Sequence, residues 1–520
     1  MLSLLMSAVD VTLTTHTTDS SYLTLPNILL LSVVLIGSSI YYFVYSHNDS
    51  NAPPYVNIFY KLITRQFNFL SDGPLSIIWY GYQCAGDAFR LQLAHQPVTV
   101  LLGPTATAAF FNADDDTLSQ KEVYHFVTPV FGKGLVYDAP QNVLTQQLKF
   151  LSHGLSSMKI TEYAQRVVDE ATTFFNDTSK FGDSGTIDLY HIISELTINT
   201  ASSTLLGNEI RSNVQNEFAI YYHNLSMGMT PLSFFLPNIP IEAHRKRDAA
   251  RREIVKLFYP IIQSRREQQR NNPSFVKPRD FLQDLIDVKY TDKRSLTDDE
   301  IVGMLVAALF AGQHTSNITA TWMILSLIHN NYVSDVLEEQ KRILHIDDGT
   351  LMNNDNLNYE TVQEMSFLDQ SLHETLRLFP PLIFLMRKVK KPLVVHTTQN
   401  KSYTVPVGDI VAVSPAVSGR LESVWSDPLQ YNPHRFGTEW KNKQAELKSN
   451  KIKDYTFMGF GGGRHECLGR RFALMQIKTI VSVMFRTFEL SLTDEFPVRD
   501  FDAMVVGPVA PTKVHYKRRK

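Results

Sequence analysis

The chain has 520 residues, 44% of them hydrophobic, and a formal net charge of −2 from 50 Lys and Arg against 52 Asp and Glu. That is enough apolar content for a large core, and the near balance of charge gives a nucleic-acid partner no electrostatic support. The cysteines are Cys84 and Cys467 only, so no disulfide can form if one of them binds metal, which fits a reducing compartment.

Residues 1–27 read as a leader segment; Met1 to Leu25 is Ser/Thr-rich and holds no Lys or Arg, against a mitochondrial presequence. Residues 28–45 are an apolar run of about bilayer-spanning length, broken only by small residues such as Gly37, Ser38 and Ser39. This pattern predicts a transmembrane signal anchor. A cleaved signal peptide is the competing reading, but no basic n-region precedes the run. Lys61 and Arg65 follow it, which puts the main body in the cytosol by the positive-inside rule. Residues 46–55 contain Asn51-Ala-Pro-Pro-Tyr55, whose paired prolines forbid helix and predict a stiff hinge. No linker divides residues 56–520, so they are expected to form one domain.

Within that domain, alternation in Phe89-Arg-Leu-Gln-Leu and in Val98-Thr-Val-Leu-Leu-Gly103 predicts a small sheet. Residues 124–138, YHFVTPVFGKGLVYD, are too irregular for one helix. From about 160 to 300 the pattern is mainly helical. In residues 229–253 an apolar, proline-broken half is followed by a basic helix start. Arg245 to Arg252 reads as a solvated charge run, and the apolar half as a segment able to dip into a membrane and admit a lipid.

Thr297-Asp-Asp-Glu300 has capping-box spacing and opens an apolar run that continues to about Asn330, a central buried helix. Inside it lies Ala311-Gly-Gln-His-Thr-Ser316. Polar groups in mid-core need partners or a purpose, and a satisfied core histidine is the plain alternative. Glu374-Thr-Leu-Arg377 puts opposite charges one turn apart before Pro380-Pro381 ends the helix. A surface ion pair would account for it equally. Residues 460–469, FGGGRHECLG, set Cys467 between a glycine-rich turn and a helix start, where backbone amides favour a thiolate. Glycines 461, 462 and 463 are expected to take positive φ. Arg464 and His465 add positive charge, and Leu474, Ile477, Val481, Met484, Phe485 and Phe488 mark an anchoring helix.

The spacing Phe-Gly-x-Gly-x-His-x-Cys-x-Gly resembles the haem-ligand loop of the cytochromes P-450. By that resemblance Cys467 is the axial ligand of haem b, and His465 reaches a haem propionate. Ala311-Gly-Gln-His-Thr315 is similar to the family's oxygen-binding groove, with His314 in place of the usual acid. That histidine, and the Tyr-x-Phe...Pro-x-Phe-Gly arrangement of residues 124–138, resemble the sterol 14α-demethylases.

The resemblance implies a mainly α cytochrome P-450 fold with small β-sheets and an N-terminal transmembrane anchor. It implies His314 and Thr315 as catalytic residues, and Tyr124, Tyr137 and Arg387 with His465 at the propionates. Phe126, Phe131, Ala311, Leu382, Phe384, Met504 and Val505 would line the sterol cavity. Glu374, Arg377 and Arg435 would form a structural triad. The Trp-x-x-x-Arg common in the superfamily is absent, leaving Lys149 as the cation of the helix after residue 140. At the place where the family often pairs the histidine with an acid, this chain has Ser226. The implied activity is removal of the 14α-methyl group of a sterol as formate. It would use O₂ and electrons from an NADPH-cytochrome P-450 reductase at the endoplasmic reticulum membrane, with the protein single-pass, in contact with membrane lipid and its catalytic domain cytosolic. A different hydroxylase of the superfamily and a non-catalytic haem-binding protein are the competing classes.

Overall fold

The computed structural model describes residues 50–58, 73–93, 96–213, 215–229 and 231–519. The leader and the anchor expected at 28–45 lie outside these residues. The described part starts in extended chain: Val56 N–H donates to Arg90 O at 2.9 Å, and Arg90 N–H to Pro54 O at 2.8 Å. Ala52 and Pro53 are buried. The segment that holds the proline pair thus runs along the sheet edge, a position that an extended stretch lacking N–H groups suits.

Helix α1 (Leu75–Ala85) leads into the antiparallel hairpin of β1 (Ala88–Leu93) and β2 (Gln96–Leu101), the expected small sheet. Helix α2 (Gly103–Asn112) and β3 (Leu118–Ser119) follow. Residues 121–138 break into single turns, among them Thr128–Phe131, where Gly132 at φ 112° stops the helix. Next come α3 (Gln141–Gly154), α4 (Ser157–Asn176), β4 (Ser184–Asp188), α5 (Leu189–Ala201), α6 (Gln215–Met227) and α7 (Glu242–Asn271).

The basic run expected to be solvated is only partly so. His244, Arg247, Ala250, Ile254, Phe258, Ile262 and Arg265 recur at three- and four-residue steps and form the buried face of α7, so Arg247 is 1% exposed. The Thr297–Glu300 capping box is formed, and α8 runs Asp298–His329 with Asn330 as C-cap. Although long and apolar enough to cross a membrane, α8 is mostly buried inside the protein. Its first half, Ile301 to Leu309, packs in one hydrophobic cluster with Phe126, Phe131 and Tyr222. Its second half, Ile318 to Leu327, packs in another with Phe367, Leu372 and Met484. The polar stretch from Ala311 to Ser316 lies between them.

Helices α9 (Val333–Leu344) and α10 (Ser366–Leu378) are followed by β5 (Leu385–Val389), the hairpin β6 (Leu393–His396) and β7 (Ser402–Val405), and β8 (Ile410–Val413). The chain closes with α11 (Arg470–Thr487), β9 (Phe488–Leu492) and β10 (Lys513–Arg518). One sheet has the order β1-β2-β8-β5-β3 and another β4-β10-β9. On α11 and just after it, Ile477, Val481, Met484, Phe485 and Phe488 are all buried, as their spacing requires.

Candidate functional site

Cys467 follows the single turn Gly463–His465 and precedes Gly469, the N-cap of α11. Its N–H donates to Phe460 O at 2.9 Å, which closes the loop. Gly461 and Gly463 have φ of 72° and 69°, the left-handed conformation that favours glycine. Gly462 departs from expectation: its φ of −175° is ordinary extended backbone. A Cβ at Gly463 would lie 2.1 Å from Phe111 O, so this loop needs glycine for close contact with α2 as well.

The Cys467 side chain keeps an accessible face although protein surrounds much of it. Burial pushes its thiol pKa up, against the backbone N–H groups of Gly469 and Arg470, which pull it down. The amides are therefore where the sequence suggested, but burial outweighs them, and a thiolate here needs the charge of a bound metal.

Beside this loop, β5 and the 121–138 segment assemble a polar cluster. Met386 N–H donates to the Tyr124 hydroxyl oxygen at 3.1 Å, and the Tyr124 and Tyr137 rings lie 5.1 Å apart. Both phenols are raised in pKa, first by burial. Arg387 is 2% exposed, donates from Nη1 to Phe110 O at 2.7 Å, and has an Nε with no partner. Burial lowers its pKa to about 10. Asp115, Tyr124 and Tyr137 act on the same charge in the opposite sense.

His465, expected to reach a propionate, is joined through Nε2 to Asp115 Oδ1 at 2.6 Å, which leaves Nδ1 as its other ring donor or acceptor. Asp115 also accepts from Gln141 Nε2 at 2.8 Å. Nothing local in the sequence marks Asp115, 350 residues before His465. Lys149 is exposed. The buried polar residue of α3 is Gln147, bonded to Val136 N, Gly134 O and the Tyr290 hydroxyl.

On α8, Ala311 is exposed between the half-buried Phe310 and Gly312, and a Cβ at Gly312 would meet nothing within 4 Å. The Thr315 hydroxyl donates to Ala311 O at 2.6 Å, which leaves its oxygen free to accept. His314 Nε2 lies 3.0 Å from Ser226 Oγ, and Ser226 Oγ donates to Tyr222 O at 2.9 Å. With the serine hydrogen used in that way, neutral His314 carries its proton on Nε2 and donates to the serine. Tyr222, which sequence reasoning did not single out, stacks on the imidazole at 5.7 Å. Burial pushes His314 down to about 4, and His223 acts in the same direction.

Phe126 is 2% exposed, covered by Tyr124 at 6.2 Å and Phe234 at 5.4 Å between ring centres. Phe131 meets Phe310 of α8 at 6.0 Å. Leu382 is exposed, and Phe384, Met504 and Val505 are half-buried. The C-terminal turn is tied to this stretch by Val506 N–H donating to Pro381 O at 2.9 Å. In the charged triad Glu374 and Arg377 are buried and Arg435 is half-buried: Glu374 accepts from Arg377 Nε and Nη2, both at 2.7 Å, and from Arg435 Nε at 3.2 Å. Arg377 also donates to the carbonyls of Gly419, Pro428 and Gln430, pinning the loop before residue 432.

These residues fit a haem. Cys467 keeps an open face for iron, and α8 bears a bare surface at Ala311 and Gly312 that leaves room for a flat ligand. The cluster at its edge carries more donors than acceptors, including the unpartnered Nε of Arg387, which suits carboxylates. The cytochrome P450 family model matches residues 52–516. Sterol 14-demethylase of Arabidopsis thaliana is 37% identical over 495 residues, 95% of this chain and 97% of that protein. Obtusifoliol 14-alpha demethylase of Triticum aestivum is 38% identical over 86% of this chain and 94% of its own length. Lanosterol 14-alpha demethylase of Homo sapiens is 35% identical over 90% and 87%. Among solved structures, retinoic acid bound cyanobacterial CYP120A1 superimposes with a TM-score of 0.70 at 20% identity, over 87% of this chain and 96% of that one.

Proposed function

As a member of the cytochrome P450 family, and within it of the sterol 14-demethylases, this chain is a haem-thiolate monooxygenase that removes the sterol 14α-methyl group, and we propose the residues that do so and the setting in which they act. Haem held by the Cys467 thiolate supplies the activation of O₂ for three successive oxidations, which release the methyl carbon as formate and leave a C-14 double bond. Tyr124, Tyr137, Arg387 and His465 hold the propionates. Glu374, Arg377 and Arg435 keep the loop architecture rigid.

The observation that carries the reading is the polar interruption of α8. Thr315 presents a hydroxyl oxygen beside Ala311, and His314 holds a chain of hydroxyl and carbonyl groups through Ser226. Protons reach the oxygen side through Thr315 and through His314, whose imidazole, held neutral by burial, still offers one donor and one acceptor nitrogen. Apolar walls from Phe126, Phe131, Ala311, Leu382, Phe384, Met504 and Val505 take the sterol skeleton and exclude water.

Electrons come from an NADPH-dependent reductase that docks on the Cys467 side. The protein is anchored in the endoplasmic reticulum membrane by residues 28–45, with its catalytic domain in the cytosol. Exposed Met227, Leu232 and Leu236 support contact with lipid near the segment that admits substrate.

The test is titration of a panel of 14α-methyl sterols against the purified haem protein, followed by the Soret shift as substrate displaces water from iron. Saturable shifts with these sterols, and none with analogues lacking the 14α-methyl group, are expected. Equal shifts with and without that methyl group would refute the substrate assignment.

A further inference from the structure

Three elements converge on one carbonyl oxygen, that of Phe131. From α7, Arg251 Nη2 donates to it at 3.3 Å. From α8, the backbone comes so close that a Cβ at Gly303 would lie 2.2 Å from the same oxygen. The third element is the turn itself, which ends in Gly132, where a Cβ would lie 3.1 Å from Arg251 Nη2. The Phe131 main chain is therefore clamped between two helices while its ring faces Phe310.

The clamp is poorly satisfied. A guanidinium has five N–H donors, yet Arg251 Nε and Nη1 are buried without a partner and its bond to Phe131 is long. Its nearest acid, Asp299 at the start of α8, stands 3.8 Å from Nη2 with its side chain 79% exposed. An arginine in this position gains donors' worth of pairing by turning to Asp299, where a carboxylate can accept two of its N–H groups. Carbonyl and carboxylate compete for one cation.

We propose that Arg251 is a positioning residue for the sterol cavity: on the Phe131 carbonyl it holds the aromatic wall closed, and on Asp299 it releases that wall together with α7. The apolar segment with Leu232 and Leu236 immediately precedes α7, so loosening the clamp frees the same region through which a lipid would pass. The inference rests on the sterol reading above.

The experiment uses the full-length haem protein and the 14α-methyl sterol that gives the largest Soret shift, with affinity from titration and dissociation from stopped flow. Arg251→Met removes the donors and is expected to speed sterol dissociation and raise Kd by roughly three- to tenfold, the worth of one net hydrogen bond. Asp299→Asn removes the competitor and is expected to act in the opposite direction, slowing dissociation by roughly twofold or more. In the Arg251→Met background, Asp299→Asn should have no effect. Haem content and the reduced CO spectrum should stay unchanged in all three.

Asp299→Asn alters an exposed side chain and reads out even where Arg251→Met folds poorly. Unchanged or faster dissociation in it, or the same effect with and without Arg251, overturns the clamp while sterol binding by the wild type stands. A wild type that responds to no 14α-methyl sterol overturns the substrate reading and the clamp together.

Discussion

Replacing Ser226 by aspartate tests the role of His314 most directly, because the serine Oγ lies 3.0 Å from His314 Nε2. In the native protein burial pushes the imidazole down to about 4, so it is neutral through the physiological range. A carboxylate about 4 Å away attracts an imidazolium by about 4 kcal/mol at an effective dielectric constant of about 20. At about 1.4 kcal/mol per pKa unit that is roughly three units. Desolvation of the new carboxylate offsets part of it, so His314 in Ser226→Asp should titrate at about 6 to 7. The consequence is an imidazolium present at a pH where the native site has none.

The sign follows from proton binding. Between about 6.5 and 4 the unfolded chain holds a proton on His314 that the native state refuses, so native stability is lost as the pH drops through that window, by about 3 kcal/mol in all. Ser226→Asp should remove most of this acid sensitivity, measured as urea midpoints at pH 7 and pH 5. It should also shift the pH optimum of coupling upwards, read as formate formed per NADPH consumed with a matched reductase. Coupling profiles that overlay those of the wild type, together with full coupling in His314→Ala, would refute proton relay through this residue and reduce the polar stretch to a packing feature.

Cys467→Ser should abolish the red-shifted Soret band of the reduced CO complex while Cys84→Ser keeps it, which absorption spectra of the two variants decide. Glu374→Ala leaves the guanidinium groups of Arg377 and Arg435 without their buried acid, at a cost of about 3–5 kcal/mol, so thermal unfolding should show a severely destabilised protein with little bound haem. Phe126→Leu thins the aromatic stack between Tyr124 and Phe234 and should relax a preference for C-4-monomethylated over C-4-dimethylated sterols worth about 1–3 kcal/mol. Comparing kcat/KM for the two sterol classes in wild type and variant measures it, and equal values in the wild type would remove the argument.

Much of this protein was legible in its sequence because the determining forces are local. The capping box at Thr297, the stop at Asn330, the helix end before Pro380 and the buried stripe on α11 each follow from residues within a few positions of one another. The Cys467 loop and the polar stretch from Ala311 to Ser316 stood out because their residue types conflict with their surroundings. Even the place of Ser226 opposite His314 was readable from family spacing. What it does there was not: the bond across 88 residues, and the neutral state that burial imposes, depend on how α6 lies over α8. Likewise Asp115 on His465, Tyr222 on His314 and Arg251 on the Phe131 carbonyl join segments far apart in the chain. Helix face and register decide such pairings, which is also why Arg247 is buried inside a run that reads as solvated charge. Hydrogen bonding and desolvation act over a few ångströms of space, and only the tertiary structure decides which residues share them.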